Sequence, residues 1–354
     1  MSARLVIARA GARSLLQDTG FRGGRGIGVP GAGALDRDAL YLLNRLLGND
    51  TDAAAIEIAL VPPKLRAEDG PVRLALGTGL SGQVSGDNPR PVGAWTAFTL
   101  HPGETVDLRF EAGCPVALIG IGGEIDLAYA LHSRSTLPRA GLGPFGRKLE
   151  DGDAIPISAP AADPGDRTFA VPPRPESGPL RAVPGPQAEW FTEASRETFF
   201  GAEYSVGIET DRMGMRLDGP ALSHSERGAD IVSDGIAPGA IQVPGSGQPI
   251  VLLADAQTTG GYPKIATVIG ADLSRLARLA PGDRLRFTAV TVEEAEAAAR
   301  DRRAELDRIA ECVVRANAGR IDPRALWQAN LVGGAVDALC PDHFPHHPEP
   351  ESHP

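Results

Sequence analysis

The sequence contains few cysteines, and they lie far apart. Three occur among 354 residues, at Cys114, Cys312 and Cys340. Their odd number and wide spacing give no indication of a disulfide-bonded scaffold, and they exclude a Cys-x-x-Cys zinc knuckle. Because proteins of a reducing compartment keep their thiols free, we expect a cytoplasmic protein.

Long apolar runs and export signals are also missing. No apolar run reaches the roughly 18 residues that a membrane-spanning helix requires. The N-terminal stretch MSARLVIARAGARSLLQDTG lacks the extended apolar segment of a signal peptide. We therefore expect no membrane interaction.

Positive charge is not concentrated anywhere in the chain. Asp and Glu outnumber Lys and Arg by 45 to 35, which gives a net charge of −10. The arginines are scattered and are not interleaved with aromatic residues, which make up only 5% of the chain. Since nucleic-acid binding relies on clustered cations, the composition argues against a nucleic-acid partner.

Several catalytic signatures are absent from the sequence. It has no His-x-His or His-Glu-x-x-His pattern, so we predict no metal site. It also lacks the G-x-S-x-G nucleophile elbow and the G-x-x-x-x-G-K-[ST] phosphate loop. If the reaction consumes ATP, we expect another chain to handle it.

Short β-rich runs dominate what the sequence does contain. Segments such as RLVIARA, AIEIAL, VRLALG, PVALIGIGG, PIVLLAD and KIATVIG are separated by turns rich in the 43 glycines and 31 prolines. Many short strands at this spacing are typical of a β-sandwich or β-barrel, and the strand–helix alternation of a parallel α/β sheet is missing. We predict a mainly β fold with a few short helices.

Composition changes along the chain suggest domain boundaries. Two stretches, HPGETVDLRF and APGDRLRFTAV, pair a Pro-Gly-acid turn with a Leu-Arg-Phe strand near the end of a β-rich block, which hints at two related β-domains. A segment rich in Pro and Ala separates these blocks. The predicted divisions are a first β-domain (1–160), a linker (161–177), a second β-domain (178–290), a helical extension (291–340) and a disordered tail (341–354).

Two helices inside the β-domains have recognisable ends. In ALDRDALYLLNRLLGND, leucines recur at helical spacing, with Asp36 as the N-cap and Gly48 as the stop. The shorter segment EWFTEASRETFF has Thr192 as its candidate cap.

The extension after residue 290 also indicates helix. Thr291 and Glu294 have the spacing of a capping box. Leu306, Ile309 and Val313 form a narrow apolar stripe, which we expect to pack on the barrel or on a partner. A second helix is predicted over 322–339.

A glycine-rich segment, QDTGFRGGRGIGVPGAGALDRDAL, matches a dinucleotide fingerprint only formally. Gly26, Gly28 and Gly31 have the G-x-G-x-x-G spacing, but no apolar strand leads into them and Pro30 removes a useful amide. We favour an irregular loop whose glycines allow positive φ. A third interpretation is that the loop lines a pocket with Gln17, Asp18 and Asp36.

A second candidate lies in ETDRMGMRLDGP. An ion pair between Asp211 and Arg212 would orient the Arg212 guanidinium to bind a carboxylate or carbonyl oxygen. The alternative, which this stretch alone favours, is a surface turn with a solvated ion pair.

The richest stretch is PIVLLADAQTTGGYPKIATVIG, residues 249–270, in which polar groups separate two apolar strands. Glycines there let backbone amides approach a ligand, and Lys264 emerges at the start of a strand after Pro263. Such a group can hold an amide- or ureido-like molecule and stabilise an oxyanion. An ordinary polar hairpin loop is the alternative. The candidate ligand-binding residues are Gln242, Gln257, Thr258, Thr259, Gly260, Gly261 and Tyr262.

These stretches resemble the family that contains KipA, the C subunit of bacterial 5-oxoprolinase and part of the carboxyltransferase domain of urea carboxylase. The resemblance covers roughly residues 5–290 and rests on LQDTGFRG, GVPGAGALDRDAL, HSRSTLPRAGLG, AVPGPQ, DRMGMRLDGP and PGAIQVPGSGQPIVLLADAQTTGGYPKIATVI. One departure is GTGL at 77–80, where many relatives have GADF. The resemblance implies two cyclophilin-like β-barrel domains.

The resemblance also implies partner chains and two kinds of function. One is an enzyme subunit that is inactive alone: ATP-dependent 5-oxoprolinase with a KipI-like B chain and a LamB/YcsF-like A chain, or carboxyl transfer to urea with a biotin carboxylase. In neither case do we expect this chain itself to hold a cofactor; a partner handles ATP, and biotin enters only in carboxyl transfer. The other is a non-catalytic KipA-type regulator of a KipI-like inhibitor. Neighbouring genes would discriminate between them.

A mechanism can be put forward as a hypothesis from these assignments. Gln242, Gln257 and Thr258 orient the substrate amide. Lys264 and Arg212 stabilise the oxyanion as the carbonyl carbon is attacked or carboxylated, and Asp18 or Asp36 positions one of them.

Overall fold

The computed structural model of the chain describes residues 3–160, 165–174 and 176–316. The predicted helix over 322–339 and the predicted disordered tail at 341–354 lie outside the described residues. None of the helices in this described part combines the length and apolarity needed to cross a bilayer.

The N-terminal part of the chain (residues 3–160) is built from short antiparallel strands around α1 (Arg37–Leu47). The strands are β1 (Ala3–Arg9), β2 (Arg13–Gln17), β3 (Ala55–Ala59), β4 (Lys64–Glu68), β5 (Val72–Leu76), β6 (Leu80–Ser85), β7 (Arg90–Val92), β8 (Thr96–Leu100), β9 (Thr105–Phe110), β10 (Val116–Ile121), β11 (Gly123–Ile125) and β12 (Ala154–Pro160).

The remaining strands lie later in the chain. They are β13 (Arg167–Phe169), β14 (Leu180–Pro184), β15 (Tyr204–Thr210), β16 (Gly214–Asp218), β17 (Asp234–Gly235), β18 (Ala240–Gln242), β19 (Ile250–Leu252), β20 (Thr259–Gly260), β21 (Lys264–Val268), β22 (Arg284–Leu285), β23 (Phe287–Ala289) and β24 (Val313–Arg315). The later helices are α2 (Glu193–Gly201), α3 (Leu273–Leu276) and α4 (Val292–Glu311).

Two seven-stranded sheets cover the core of the N-terminal part. Their orders are β11-β12-β1-β4-β9-β6-β7 and β2-β3-β10-β5-β8-β13-β24. Alternate side chains of β1 and β4 face one apolar cluster, which includes the fully buried Leu5, Ile7 and Leu65. The strands β13 and β24 reach this second sheet from later in the chain, so the segment predicted as a linker contributes a strand to it.

The C-terminal part (residues 180–289) forms an eight-stranded sheet that nearly closes on itself and a separate two-stranded sheet of β17 and β20. The order of the eight-stranded sheet is β22-β15-β16-β19-β18-β21-β14-β23. The two edge strands, β22 and β23, are separated by the single residue Arg286, so the sheet must curl until its edges almost meet. Its core is mostly aliphatic and includes a few aromatic rings, with Phe199 stacked on Phe287 at 4.8 Å between ring centroids.

The helix ends confirm the predicted caps. The Asp36 carboxylate accepts from the Ala39 amide at 3.0 Å, and Gly48 ends α1 with φ of 77°. Thr192 caps α2, and Thr291 with Glu294 forms the predicted capping box of α4. These are local patterns, in which side-chain oxygens satisfy the free amides of a first helical turn.

The apolar stripe of the extension is partly different from its prediction. Leu306 and Ile309 lie on α4 and pack in a cluster with α1 and with strands of the second sheet. The helix ends at Glu311, however, and Val313 belongs to β24, which pairs with β13. Val313 still packs against the same cluster, because the chain turns back onto the sheet directly after the helix.

The predicted fold class is confirmed: the chain is mainly β, with few short helices and the C-terminal helix α4. A near-closed barrel is present in the C-terminal part. The proposed domain boundaries stay predictions.

We expect Gly185→Ala to destabilise the protein, because a Cβ at this position would lie 2.2 Å from the Lys264 carbonyl oxygen. The new methyl group would meet backbone, so strands β14 and β21 would have to separate, at a cost of about 1–3 kcal/mol. Equilibrium urea denaturation measures this loss in the free energy of unfolding. Gly201→Ala is the matched control, since nothing lies within 4 Å of a Cβ there; an equal loss in both variants would contradict the steric argument.

Candidate functional site

Lys264 begins strand β21 and is buried, with only 3% of its surface exposed. Its ammonium donates to the Asp234 carboxylate at 2.7 Å and to the Gly235 carbonyl at 3.3 Å. Asp234 also accepts from the Gln187 amide at 3.2 Å, and Gln187 in turn accepts from the Lys264 backbone N–H at 3.3 Å. We call Gln187, Asp234, Gln242 and Lys264 the Lys264 cluster.

Gln242 lies opposite Lys264 in the barrel. The two residues are paired across strands β18 and β21, and Gln242 is 2% exposed. Its side-chain amide donates to the Tyr262 carbonyl at 3.3 Å. A Cβ at Gly260 would lie 2.5 Å from the Gln242 nitrogen, so a larger residue there would displace the Gln242 side-chain amide.

The loop between Asp255 and Lys264 is attached to the segment that carries Asp234. Strands β17 and β20 pair Asp234 with Gly260, and Ile231 donates to the Gly261 carbonyl at 2.8 Å. Three of the predicted binding residues on this loop, Gln257, Thr259 and Tyr262, have exposed side chains, while Thr258 and Gly261 are half-buried. The loop therefore presents polar groups to solvent directly above a buried ammonium.

Arg212 lies apart from the Lys264 cluster, in a buried position where it pairs with two carboxylates. Its guanidinium binds both oxygens of Asp255, at 2.8 and 2.9 Å, and donates to the Gly33 carbonyl at 2.7 Å and to Glu57. Burial lowers the pKa of this group, and the carboxylates of Glu57 and Asp255 more than offset that, so its pKa is raised. The predicted surface pair with Asp211 is absent from the described residues; Asp211 accepts from the Met213 amide instead.

Arg212 therefore joins the two parts of the molecule. Glu57 and Gly33 belong to the N-terminal part, and Asp255 precedes the loop that ends at Lys264. Four of the five guanidinium N–H groups are used, which leaves one at most for a ligand. Its predicted role in stabilising an oxyanion stays a prediction.

Asp18 organises a turn in the N-terminal part. Its carboxylate accepts from the Ser133 hydroxyl at 2.6 Å, the Ser135 hydroxyl at 2.7 Å, and the amides of Gly20 and Arg134 at 2.8 and 2.6 Å. These contacts hold the HSRST turn against the glycine-rich loop. Asp18 also borders a polar pocket of about 400 Å³ that includes His132 and Arg134.

The other two predicted residues of the N-terminal part lie elsewhere. Asp36 caps α1 and forms an ion pair with Arg278 at 2.8 Å. Gln17 is fully buried, and its amide donates to the Thr136 carbonyl at 2.8 Å. Neither residue contacts the Lys264 cluster, so the predicted site residues fall into separate groups. Their roles in binding stay predictions.

Three residues that contact Arg212 or Lys264 are absent from the site residues predicted from the sequence. Glu57 stands in the apolar strand AIEIA, and a charge at the centre of a buried strand is itself a signal of a buried partner. Gln187 ends the motif AVPGPQ. Asp234 lies in SDGIAPG, an irregular stretch with no periodicity that would have placed it beside Lys264.

We expect Arg212→Met to destabilise the fold by about 3–5 kcal/mol, because it leaves Glu57 and Asp255 buried without a counter-charge. Equilibrium urea denaturation gives this difference directly. The matched control is Arg216→Met, because Arg216 and its partner Glu209 are both more than half exposed; it should change stability by less than about 0.5 kcal/mol. Similar stabilities for the two variants would refute the assignment of Arg212 as a buried clamp.

The hydrogen bond from Lys264 lowers the pKa of the Asp234 carboxyl below its ordinary value, with the Gly235 amide and Gln187 adding to it. The ion pair therefore contributes its full stabilisation at pH values above the unfolded-state pKa of an Asp carboxyl, which is about 3.9. This stabilisation is lost as the pH falls through the lower pKa of the folded state. In Lys264→Met, a carbon-13 NMR titration should show the Asp234 midpoint moving upward. Lys64→Met is the control, and an unmoved midpoint in Lys264→Met would contradict the contact.

Comparison with known proteins identifies the family of the chain. Residues 27–289 match the family model for the carboxyltransferase domain, subdomain A and B. The chain is 35% identical to the C subunit of 5-oxoprolinase from Escherichia coli, over 86% of its length and 97% of that protein's. It is also 35% identical to the C subunit of 5-oxoprolinase from Haemophilus influenzae, over 85% of this chain and 96% of that one.

A solved structure has the same fold. The K. lactis urea amidolyase superposes with a TM-score of 0.76 at 26% identity, over 86% of this chain and 20% of that much longer one. The family model covers most of the chain, including every residue of the Lys264 cluster and Arg212. The protein therefore belongs to the carboxyltransferase domain family, subdomain A and B, and is related to the C subunit of 5-oxoprolinase.

Proposed function

We propose that this chain is the C-type subunit of an ATP-dependent 5-oxoprolinase, which opens 5-oxoproline to glutamate together with partner chains. The support from comparison is its 35% identity to the Escherichia coli C subunit along 97% of that protein. Two chains of matching extent have the same set of sheets and loops available for a shared role. Fold likeness alone would not select a reaction.

The observation that carries the proposal is an unused N–H group on the Lys264 ammonium, within the described residues. An ammonium has three N–H groups, and two of them are used by Asp234 and Gly235. Within the described part of the chain, the third is free to meet a ligand oxygen. Because the ammonium is already desolvated and fixed, it can stabilise negative charge on a carbonyl oxygen with little rearrangement.

The chemistry of lactam opening uses such a donor. Water adds to the carbonyl carbon, the C–N bond breaks, and the ring nitrogen leaves with a proton as an amine. The carbonyl oxygen carries negative charge while the carbon is tetrahedral, and we place that oxygen against Lys264. Gln257, Thr258 and Tyr262 on the loop above would hold the rest of the ring.

The proposal includes partner chains. We expect a KipI-like B chain to pack against this one and a LamB/YcsF-like A chain to take part in the ATP-dependent step, all in the cytoplasm. The exposed side chains of Gln257, Thr259 and Tyr262 fit a site that is completed by another chain.

A second candidate is carboxyl transfer to urea or a related amide. It is favoured by the carboxyltransferase family match and by the superposition on the K. lactis urea amidolyase. Lys264 would then stabilise the oxygen of the accepting amide, and biotin would be delivered by a carrier with its own biotin carboxylase. The chain spans only a fifth of that relative's length.

Reconstitution with the partner chains tests the proposal. We expect ATP-dependent formation of glutamate from 5-oxoproline, and Lys264→Met should lower kcat by about 10²–10³-fold, the usual effect of removing one oxyanion donor. Lys64→Met, on strand β4, is the matched control and should retain full activity. Size-exclusion chromatography verifies that each complex is intact.

The other outcomes separate the alternatives. Carboxylation of urea that depends on a biotinylated carrier would establish the second candidate instead. Tight binding of the KipI-like chain without either reaction would support the non-catalytic regulator. Unchanged turnover in an intact Lys264→Met complex would remove Lys264 from the chemistry.

A further inference from the structure

A groove of about 660 Å³ lies between the N-terminal and C-terminal parts, away from the Lys264 cluster. One side is formed by strand β2 and the segment from Leu137 to Glu150, and the other by residues 211–213 and Asp255. Grooves of this volume between two structural units are common places for small-molecule binding. None of the residues of the Lys264 cluster lines it, so binding in the groove is independent of the proposed function.

Most of the surface exposed in the groove is apolar, and one residue there has a strained backbone conformation. Leu60 is 76% exposed and has a φ of 69°. It is the central residue of a tight turn in which the Val61 amide donates to the Ala59 carbonyl at 2.9 Å. Such a γ-turn with positive φ is rare and strained for any residue other than glycine. Leu60 therefore contributes neither buried apolar surface nor a relaxed backbone conformation to the stability of the fold.

Further apolar surface faces Leu60 across the groove. Pro138 comes from the N-terminal part and is exposed, and Met213 comes from the C-terminal part and is half-buried. The Arg139 guanidinium spans the two parts, because it donates to the Asp255 carbonyl at 2.5 Å and contacts the Met213 sulfur at 3.3 Å. The groove is thus a fixed feature with an apolar middle.

The rim carries uncompensated positive charge, although the chain as a whole carries −10. In the described part of the chain, the side chains of Arg13 and Lys148 form no hydrogen bond or ion pair. Three acidic side chains also line the groove. Glu150 pairs with Arg147 and Asp255 pairs with Arg212, while Asp211 accepts from two backbone amides and keeps its charge. A ligand entering the groove therefore meets cations beside an apolar surface.

We propose that this groove binds an organic carboxylate with an apolar body, such as a medium-chain monocarboxylate. The apolar body lies between Leu60, Pro138 and Met213, and the carboxylate lies at the rim beside Arg13 and Lys148. Burial of the apolar body supplies affinity, and the two cations select an anion over a neutral molecule of the same shape.

Isothermal titration calorimetry on the full chain tests this with octanoate and octanamide as probes. We expect saturable binding of octanoate and at least tenfold weaker binding of octanamide. The double variant Arg13→Ala/Lys148→Ala should lose about tenfold in octanoate affinity. The control double variant Lys64→Ala/Arg109→Ala removes the same amount of charge from strands β4 and β9. It should bind octanoate with the same affinity as the unaltered protein.

Leu60→Gly distinguishes a binding role from a structural one. Glycine accepts a positive φ, so the melting temperature should be unchanged or higher, while octanoate affinity should fall several-fold. The proposal is overturned if octanoate and octanamide bind equally, if octanoate shows no saturable binding up to about 10 mM, or if the control double variant loses as much affinity. A lower melting temperature with unchanged affinity in Leu60→Gly would likewise overturn it.

Discussion

The buried guanidinium of Arg212 is the interaction on which the arrangement of this molecule depends. It binds Asp255 through two oxygens, and on its other side it meets Glu57 and the Gly33 carbonyl. A charge with this little exposure is tolerated only when its N–H groups are satisfied, so the residues around it are fixed in position. Through Asp255, that constraint is passed to the loop that ends at Lys264.

This connection explains how a polar loop can be held above a buried ammonium. At one end, Asp255 is anchored by Arg212; at the other, Lys264 is anchored by Asp234 and by its pairing with Gln242. Between these anchors the chain is attached to the neighbouring strand β17. Side chains such as Tyr262 can then point outward without the loop losing its shape, which is what a site shared with another chain requires.

Much of the fold was predictable because its signals are local. Helix caps at Asp36, Thr192 and Thr291 lie within three residues of the amides they satisfy, and the short β-rich runs with their turns indicated the mainly β class. Val313 shows the limit of such patterns. It has helical spacing from Ile309, yet the chain leaves the helix two residues earlier because β24 can pair with β13.

The site was less predictable because its contacts are distant in sequence. Arg212 meets Glu57 across 155 positions, and Asp18 meets Ser135 across 117. From the sequence alone, Arg212 was paired with its neighbour Asp211, and no periodicity connected Asp234 with Lys264. Family resemblance directed attention to these stretches of sequence. Which of their residues are buried in ion pairs and which keep an unused donor depends on three-dimensional packing.

Native-state hydrogen exchange measured by mass spectrometry tests the central claim most directly. If Arg212 fastens the two parts into one cooperative unit, amides in strand β3 of the N-terminal part and strand β16 of the C-terminal part should open with the same free energy in the intact protein. In an Arg212→Met variant the two strands should open with different free energies. Strands that already open independently in the intact protein would contradict the account.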